Sequence, residues 1–223
     1  MVTMEGSGLE QVVRMLRHLI HEGRLVPGQR LVEADLVEQA QVSRARVREA
    51  LRRLADEGLV QIDRNRGASV RRISRKEVED TLEVLRPISV LIAQKALERR
   101  DQPEVRVHLL DSLDHARAFR KGITGQDQSR RYMDENARFW DSLATVGDNP
   151  VLRDARTRLE TTLFRLVLEG ARITSDKDRW IALHEDIIEA VLAGDRALTR
   201  QLVEESVDAV QGAMLALPDQ SFA

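Results

Sequence analysis

The 223 residues predict a mainly α chain in two parts: a small N-terminal unit of three helices with a β-hairpin, then an all-α helical bundle. Three observations carry this expectation. Apolar residues recur at helical spacing over most of the length, strand-like patterning is confined to about 59–70, and the charge changes sign along the chain.

The first helix is read from Leu9, Val12, Val13, Leu16, Leu19 and Ile20, with Gly23 placed to end it. Pro27-Gly28 makes a turn, and a short second helix from about Glu33 to Ala40 buries Leu36 and Val37. After a tight connection Ser43 is placed to cap a third helix, because a serine oxygen there accepts from a free amide of the first turn. That helix carries Val47, Ala50, Leu51, Leu54 and Ala55 on one face and ends at Gly58, while Arg44, Arg46, Arg48, Arg52 and Arg53 form its outer face. Leu59-Val60-Gln61-Ile62 and Ala68-Ser69-Val70 flank Asp63-Arg64-Asn65-Arg66-Gly67 and read as two strands around a turn. Three helices followed by such a wing make a winged helix-turn-helix. It is assigned residues 1–75, with a linker at about 71–76, and the bundle is assigned 77–223.

In the bundle, helices are expected near 76–99, 104–121, 127–146, 150–170, 175–193 and 196–215. Pro103 and Pro150 fall at first turns, where the missing amide hydrogen costs nothing, and Gly147 and Gly194 at ends. Pro87 falls inside the first of these helices and should kink or split it.

Composition narrows the function. A hydrophobic content of 42% is that of a globular chain, and the absence of cysteine excludes disulfides, thiolate zinc sites and cysteine nucleophiles. No apolar run is long enough for a membrane span and no leader segment is evident, so a cytoplasmic location without membrane association is expected. There is no Gly-x-Ser-x-Gly and no phosphate-cradling glycine loop, so an enzyme is not expected. The net charge of −2 divides into +4 for residues 1–75 and −6 for 76–223; within 42–75 it is +6, and every cation there is arginine. Arginine presents a planar fork that suits phosphate and guanine, so nucleic acid is expected at one end of the chain only.

Arg44 and Arg48 lie one helical turn apart, so both can face a major groove while Val47 and Leu51 anchor the opposite face. A solvated arginine-rich face would show the same charges. The fuller pattern is more specific: Pro27-Gly28, Leu31, Glu33, Leu36, Val42-Ser43-Arg44, Val47-Arg48-Glu49-Ala50-Leu51, Leu54, Glu57-Gly58-Leu59-Val60 and Asn65-Arg66-Gly67 together resemble the GntR family of regulators. The helical remainder looks like the FCD effector domain of its FadR subfamily. The resemblance implies DNA contacts from Arg44 and Arg48, with Gly67 letting the wing approach the minor groove; Ser43 and the early amides of the helix can hold a phosphate, and Arg46 and Arg66 are counted with the DNA-binding residues. Ala45-Arg46 stands where the family commonly has Thr-Pro.

Proteins similar to this one often bind a divalent metal in the bundle through an Asp and a His one turn apart on one helix and a His from each of two later helices. The resemblance aligns Asn136 and Trp140 with the first pair, His184 with the next ligand and Ser206 with the last. Only His184 is of a ligand type, so the expectation is no metal and no other cofactor. On the stripe Trp180, Leu183, Ile187 and Ile188, His184 reads first as a hydrogen-bonded core residue. If a cavity persists, Asn136, Trp140, His184 and Ser206 would line it, with Arg86 and Arg165 as partners for a carboxylate or phosphate. The function expected is a homodimeric, ligand-responsive regulator, usually a repressor, that binds operator DNA and a small-molecule effector. The alternative is an architectural DNA-binding protein without an effector.

Overall fold

The computed structural model describes residues 8–21, 24–122, 128–167, 177–219 and 222–223, with side chains throughout except at 21, 128–130, 133, 161, 162, 164–167, 177 and 178. Gly23, the expected end of the first helix, lies outside the described residues. The chain divides into two compact units, Met1–Ile73 with Asp219–Ala223, and Ser74–Pro218.

In the first unit, α1 (Gly8–His21), α2 (Glu33–Ala40) and α3 (Arg44–Asp56) pack with β1 (Arg30–Leu31), β2 (Val60–Asp63) and β3 (Gly67–Val70). Their apolar faces meet in one core that joins Val12, Val13 and Leu16 of α1, Leu36 of α2, Val47, Leu51 and Leu54 of α3, and Leu31, Val60, Ala68 and Val70 of the sheet. The two strands of the expected hairpin pair as read, with Val60 opposite Val70 and Asp63 opposite Gly67. The sheet nevertheless has three strands in the order β1-β3-β2, because Arg30 and Leu31 pair with Ser69 and Ala68. A two-residue strand has no period to read, and here a turn creates it. The Gln29 amide donates to the Val26 carbonyl at 2.9 Å around Pro27-Gly28, with Gly28 at φ 81°, and the Gly28 amide then reaches the Val70 carbonyl at 2.8 Å.

The second unit comprises α4 (Arg75–Arg99), α5 (Pro103–Gly122), α6 (Gln128–Val146), α7 (Pro150–Val167), α8 (Lys177–Ala193) and α9 (Arg196–Leu215). Helix α4 packs against α6, α7, α8 and α9, and α5 packs against α6 and α8. Their shared core includes Ile92, Ala93, Leu109, Phe139, Trp140, Leu143, Leu183, Ile187 and Val203.

Three expectations are corrected. Helix α4 runs unbroken across Pro87, so of the kink or split expected there the split does not occur; a proline loses its own amide bond and crowds the preceding turn, and Leu82, Leu85, Ile92 and Ala93, buried on both sides of it, hold the helix together. The linker expected at 71–76 shrinks to the junction of the two units. Within the first unit the Arg71 amide donates to the Leu59 carbonyl at 3.0 Å and Ile73 is buried, while Ser74 opens α4 in a reciprocal capping box with Glu77. Finally, residues 219–223 group with the first unit rather than with the bundle. Phe222 is buried, and the Ala223 amide donates to the Ile73 carbonyl at 3.0 Å.

Candidate nucleic-acid interface and bundle interior

Helix α3 presents arginines because its other face is used up. Val47, Ala50, Leu51 and Leu54 are buried, which turns Arg44, Arg46, Arg48, Arg52 and Arg53 outward. Ser43 caps the helix, its hydroxyl accepting from the Arg46 amide at 3.4 Å. The five arginines are not equivalent. Arg53 ion-pairs with Glu10 of α1, and Arg17 of α1 reaches Glu57 at 2.8 Å, so that end of α3 is tied to α1. Arg46 lies 3.3 Å from Glu49, one turn on. The Arg48 Nε donates to both carboxylate oxygens of Glu33 on α2, at 3.0 and 2.9 Å, and the Arg48 side chain stays exposed. Arg44 and Arg52 make no ion pair among the described residues.

The wing is organised by a residue that the sequence reading treated only as part of a turn. One carboxylate oxygen of Asp63 accepts from the amides of Asn65 and Arg66, at 2.8 and 3.0 Å, and those two bonds hold its carboxyl below the usual carboxylate range. Gly67 follows at φ 79° with open space around its α-carbon, and Arg64 and Arg66 are exposed at the tip. The signal was present in sequence: an aspartate two and three residues before the amides it binds is a common turn former.

In the bundle, the expected effector residues separate. Asn136 and Trp140, on α6, share a cluster with residues that the sequence reading passed over. The Asn136 side-chain amide donates to one oxygen of Glu160, whose other oxygen accepts from Arg156 at 2.6 Å. Arg156 and Glu160 are both buried on α7; the Arg156 Nε donates to the buried Ser89 of α4 at 3.3 Å, and its guanidinium lies 4.2 Å from the centre of the Trp140 ring. An arginine four residues before a glutamate ordinarily reads as a surface pair, and only the packing of α4 and α6 over it buries it.

His184 lies on the α8 side of this group. It is stacked on Phe139 with ring centres 4.0 Å apart and planes 7° apart. It is a core residue, as expected, but not a satisfied one: its buried Nδ1 has no hydrogen-bond partner among the described residues. Burial, with the nearby positive charges of Arg156 and Arg138, pushes its pKa down to about 3. Ser206 is buried on α9 and makes no described hydrogen bond to Asn136 or His184. Arg86 belongs elsewhere: it bridges α4 to α9 through Asp208 and the Glu204 carbonyl, because the register of those two helices sets it there. The Arg165 side chain lies outside the described residues. Beside Trp140 and Arg156 the free space is about 10 Å³, room for about one water.

An amphipathic helix set on a small core beside an arginine-tipped wing, attached to a separate helical bundle, defines a class: a winged-helix DNA-binding protein with an accessory helical domain. The model of bacterial regulatory proteins of the gntR family matches residues 9–70, and that of the FCD domain matches residues 80–209. The chain belongs to the GntR family of transcriptional regulators, in the FadR-like group that carries an FCD effector-binding domain. Among its relatives, the HTH-type transcriptional repressor RspR of Escherichia coli K12 is 27% identical over 202 residues, 88% of this chain and 86% of that one. The likeness to the HTH-type regulator YdhC of Bacillus subtilis is 29% over 97 residues, 44% of this chain and 43% of that one. Of solved structures, E. coli McbR/YncC superposes with a TM-score of 0.73 at 19% identity, covering 94% of this chain and 98% of that one, a likeness of fold. The chain is a transcription regulator and not an enzyme, and the FCD match counts against an architectural protein without an effector.

Proposed function

We propose that this regulator acts as a homodimer that represses by placing two α3 helices in successive major-groove turns of a two-fold operator, and that a small effector bound in the bundle shifts its affinity for that operator. The observation that carries the DNA reading is the outward arginine face of α3. Arg44 and the terminal nitrogens of Arg48 read bases, with Glu33 fixing the Arg48 stem, while Ser43, Arg46 and the wing-tip Arg66 beside Gly67 engage the backbone. One winged unit covers little DNA, which favours the dimer. No described helix is long and apolar enough to cross a membrane, and a DNA-bound regulator works in the cytoplasm, where we place this one.

The bundle works without a metal. The residues around Asn136 and His184 do not fit one: Trp140 offers no donor, the Arg156 guanidinium already supplies a fixed positive charge against its ring, and no group of three His, Asp or Glu converges among the described residues. A dication placed beside that guanidinium would be repelled by it.

Selection of a duplex from a random library, followed by titration at several salt concentrations, tests the DNA reading. Arg44→Ala should weaken the selected duplex by about 1–3 kcal/mol and flatten its preference, whereas Arg66→Ala should weaken all duplexes alike. Two chains should bind per duplex. Unchanged preference in Arg44→Ala removes the base contact, and one chain per duplex removes the dimer.

A further inference from the structure

We infer that Arg156 is the anion anchor of the bundle and that Glu160 is a built-in competitor for it, so that the site accepts a small carboxylate in exchange for the Glu160 side chain. The inference rests on the reading that the bundle binds an effector, and it names the group that would hold one.

Four features point the same way. The Glu160 carboxylate sits as a bound carboxylate would, with one oxygen on the Arg156 guanidinium at 2.6 Å and the other on the Asn136 side-chain amide. The guanidinium is fixed in place independently of Glu160, by Ser89 at 3.3 Å and by the Trp140 ring at 4.2 Å. A buried ion pair is a weak device for stability, since apolar residues of similar volume often serve as well or better. Close by, the buried Nδ1 of His184 has no partner among the described residues, an unusual state for a buried polar atom and one that a ligand oxygen or hydroxyl would relieve.

Access follows from position. Glu160 lines a slot between α6 and α7, and the Asp141–Arg153 ion pair, on the same two helices, also lines it. The slot holds only about 10 Å³, so a ligand cannot enter beside Glu160. It must replace it, and the Glu160 side chain then swings outward along the slot. The exchange trades one carboxylate for another on the same cation, which keeps the buried charge of Arg156 compensated throughout.

Acetate and propionate serve as probes in chelator-containing buffer, with chloride at equal ionic strength as control. Binding is read by Trp140 fluorescence in a Trp180→Phe background and by the melting temperature. Glu160→Gln removes the competing charge at nearly constant volume, and should bind acetate at least tenfold more tightly than the parent, with a saturable rise in melting temperature. Arg156→Met should abolish the response, and Arg156→Lys should weaken it. Circular dichroism separates a folded variant from an unfolded one, and the comparison of Glu160→Gln with its parent stands even if Arg156→Met fails to fold. Equal affinity in the parent and Glu160→Gln overturns the exchange, as does an acetate response that survives in folded Arg156→Met, or no response in any variant. These failures differ from failure of the underlying reading. An effector that alters operator affinity equally in the parent and in Arg156→Met removes the anchor and leaves effector control intact; carboxylate binding through Arg156 that never alters operator affinity does the reverse.

Discussion

At the scale of single residues, His184 is the most consequential departure from what the chain suggests. Its ordinary pKa is 6.5 and its buried value is about 3, so the folded chain excludes a proton that the unfolded chain accepts. The contribution is therefore fully present above pH 6.5 and is lost as the pH falls from there towards 3. Between pH 7.5 and 4.5 the loss amounts to about 3 kcal/mol, on the general scale of a little over 1 kcal/mol for each unit below 6.5. His184→Phe keeps a ring against Phe139 and removes the titration, so urea unfolding at the two pH values should show the variant losing about that much less stability than the parent. Equal losses would mean that His184 does not titrate with folding. Asp63 is shifted the same way, so its contribution too is lost as the pH falls, but it lies at the surface, where its two backbone bonds shape the wing rather than supply much stability.

At the scale of elements, the winged unit depends on two turns whose glycines differ in their surroundings. Gly28 and Gly67 both have positive φ, at 81° and 79°. A β-carbon on Gly28 would lie 2.5 Å from Nε of Arg72, whereas one on Gly67 would meet nothing within 4 Å. Gly67→Ala therefore carries only the backbone strain, about 1 kcal/mol, and Gly28→Ala adds the displacement of the Arg72 side chain. Thermal melts should rank Gly28→Ala as the less stable of the two; the reverse order would mean that the Pro27-Gly28 turn is not what seats β1 against β3. Neither change touches α3, so a loss of DNA affinity confined to Gly67→Ala would locate a wing contact.

At the scale of the whole molecule, the two units carry opposite charge and separate cores, which suits a division between DNA binding and effector sensing. Metal independence is tested at this scale, because a tightly bound ion stabilises the entire bundle. At a hundredfold excess over its dissociation constant it adds about 2.7 kcal/mol, which for a chain of this size moves the melting temperature by roughly 5–11 °C. Chelation should leave the melting temperature unchanged to within about 1 °C on the same scale. A stoichiometric metal in the purified protein, removed by chelation and absent from His184→Ala, would refute the proposal.

The sequence by itself determined the elements and their order. The helical faces of α1 and α3, the Ser43 cap and the paired strands of the wing are local patterns, in which period and capping chemistry act over a few residues. The outward arginine face of α3 was legible for the same reason, since burying Val47, Leu51 and Leu54 dictates which side remains outside. The tertiary structure alone decided the partners. Arg48 meets Glu33, 15 positions away, Arg86 is drawn to α9, and β1 exists only because β3 passes beside it. It also buried the i, i+4 pair Arg156 and Glu160, a spacing that by itself suits a surface bridge. The reason is physical: a helical period fixes which face of a helix is apolar, but the register and angle at which helices cross depend on how their side chains interlock, and that is settled only when all of them pack together.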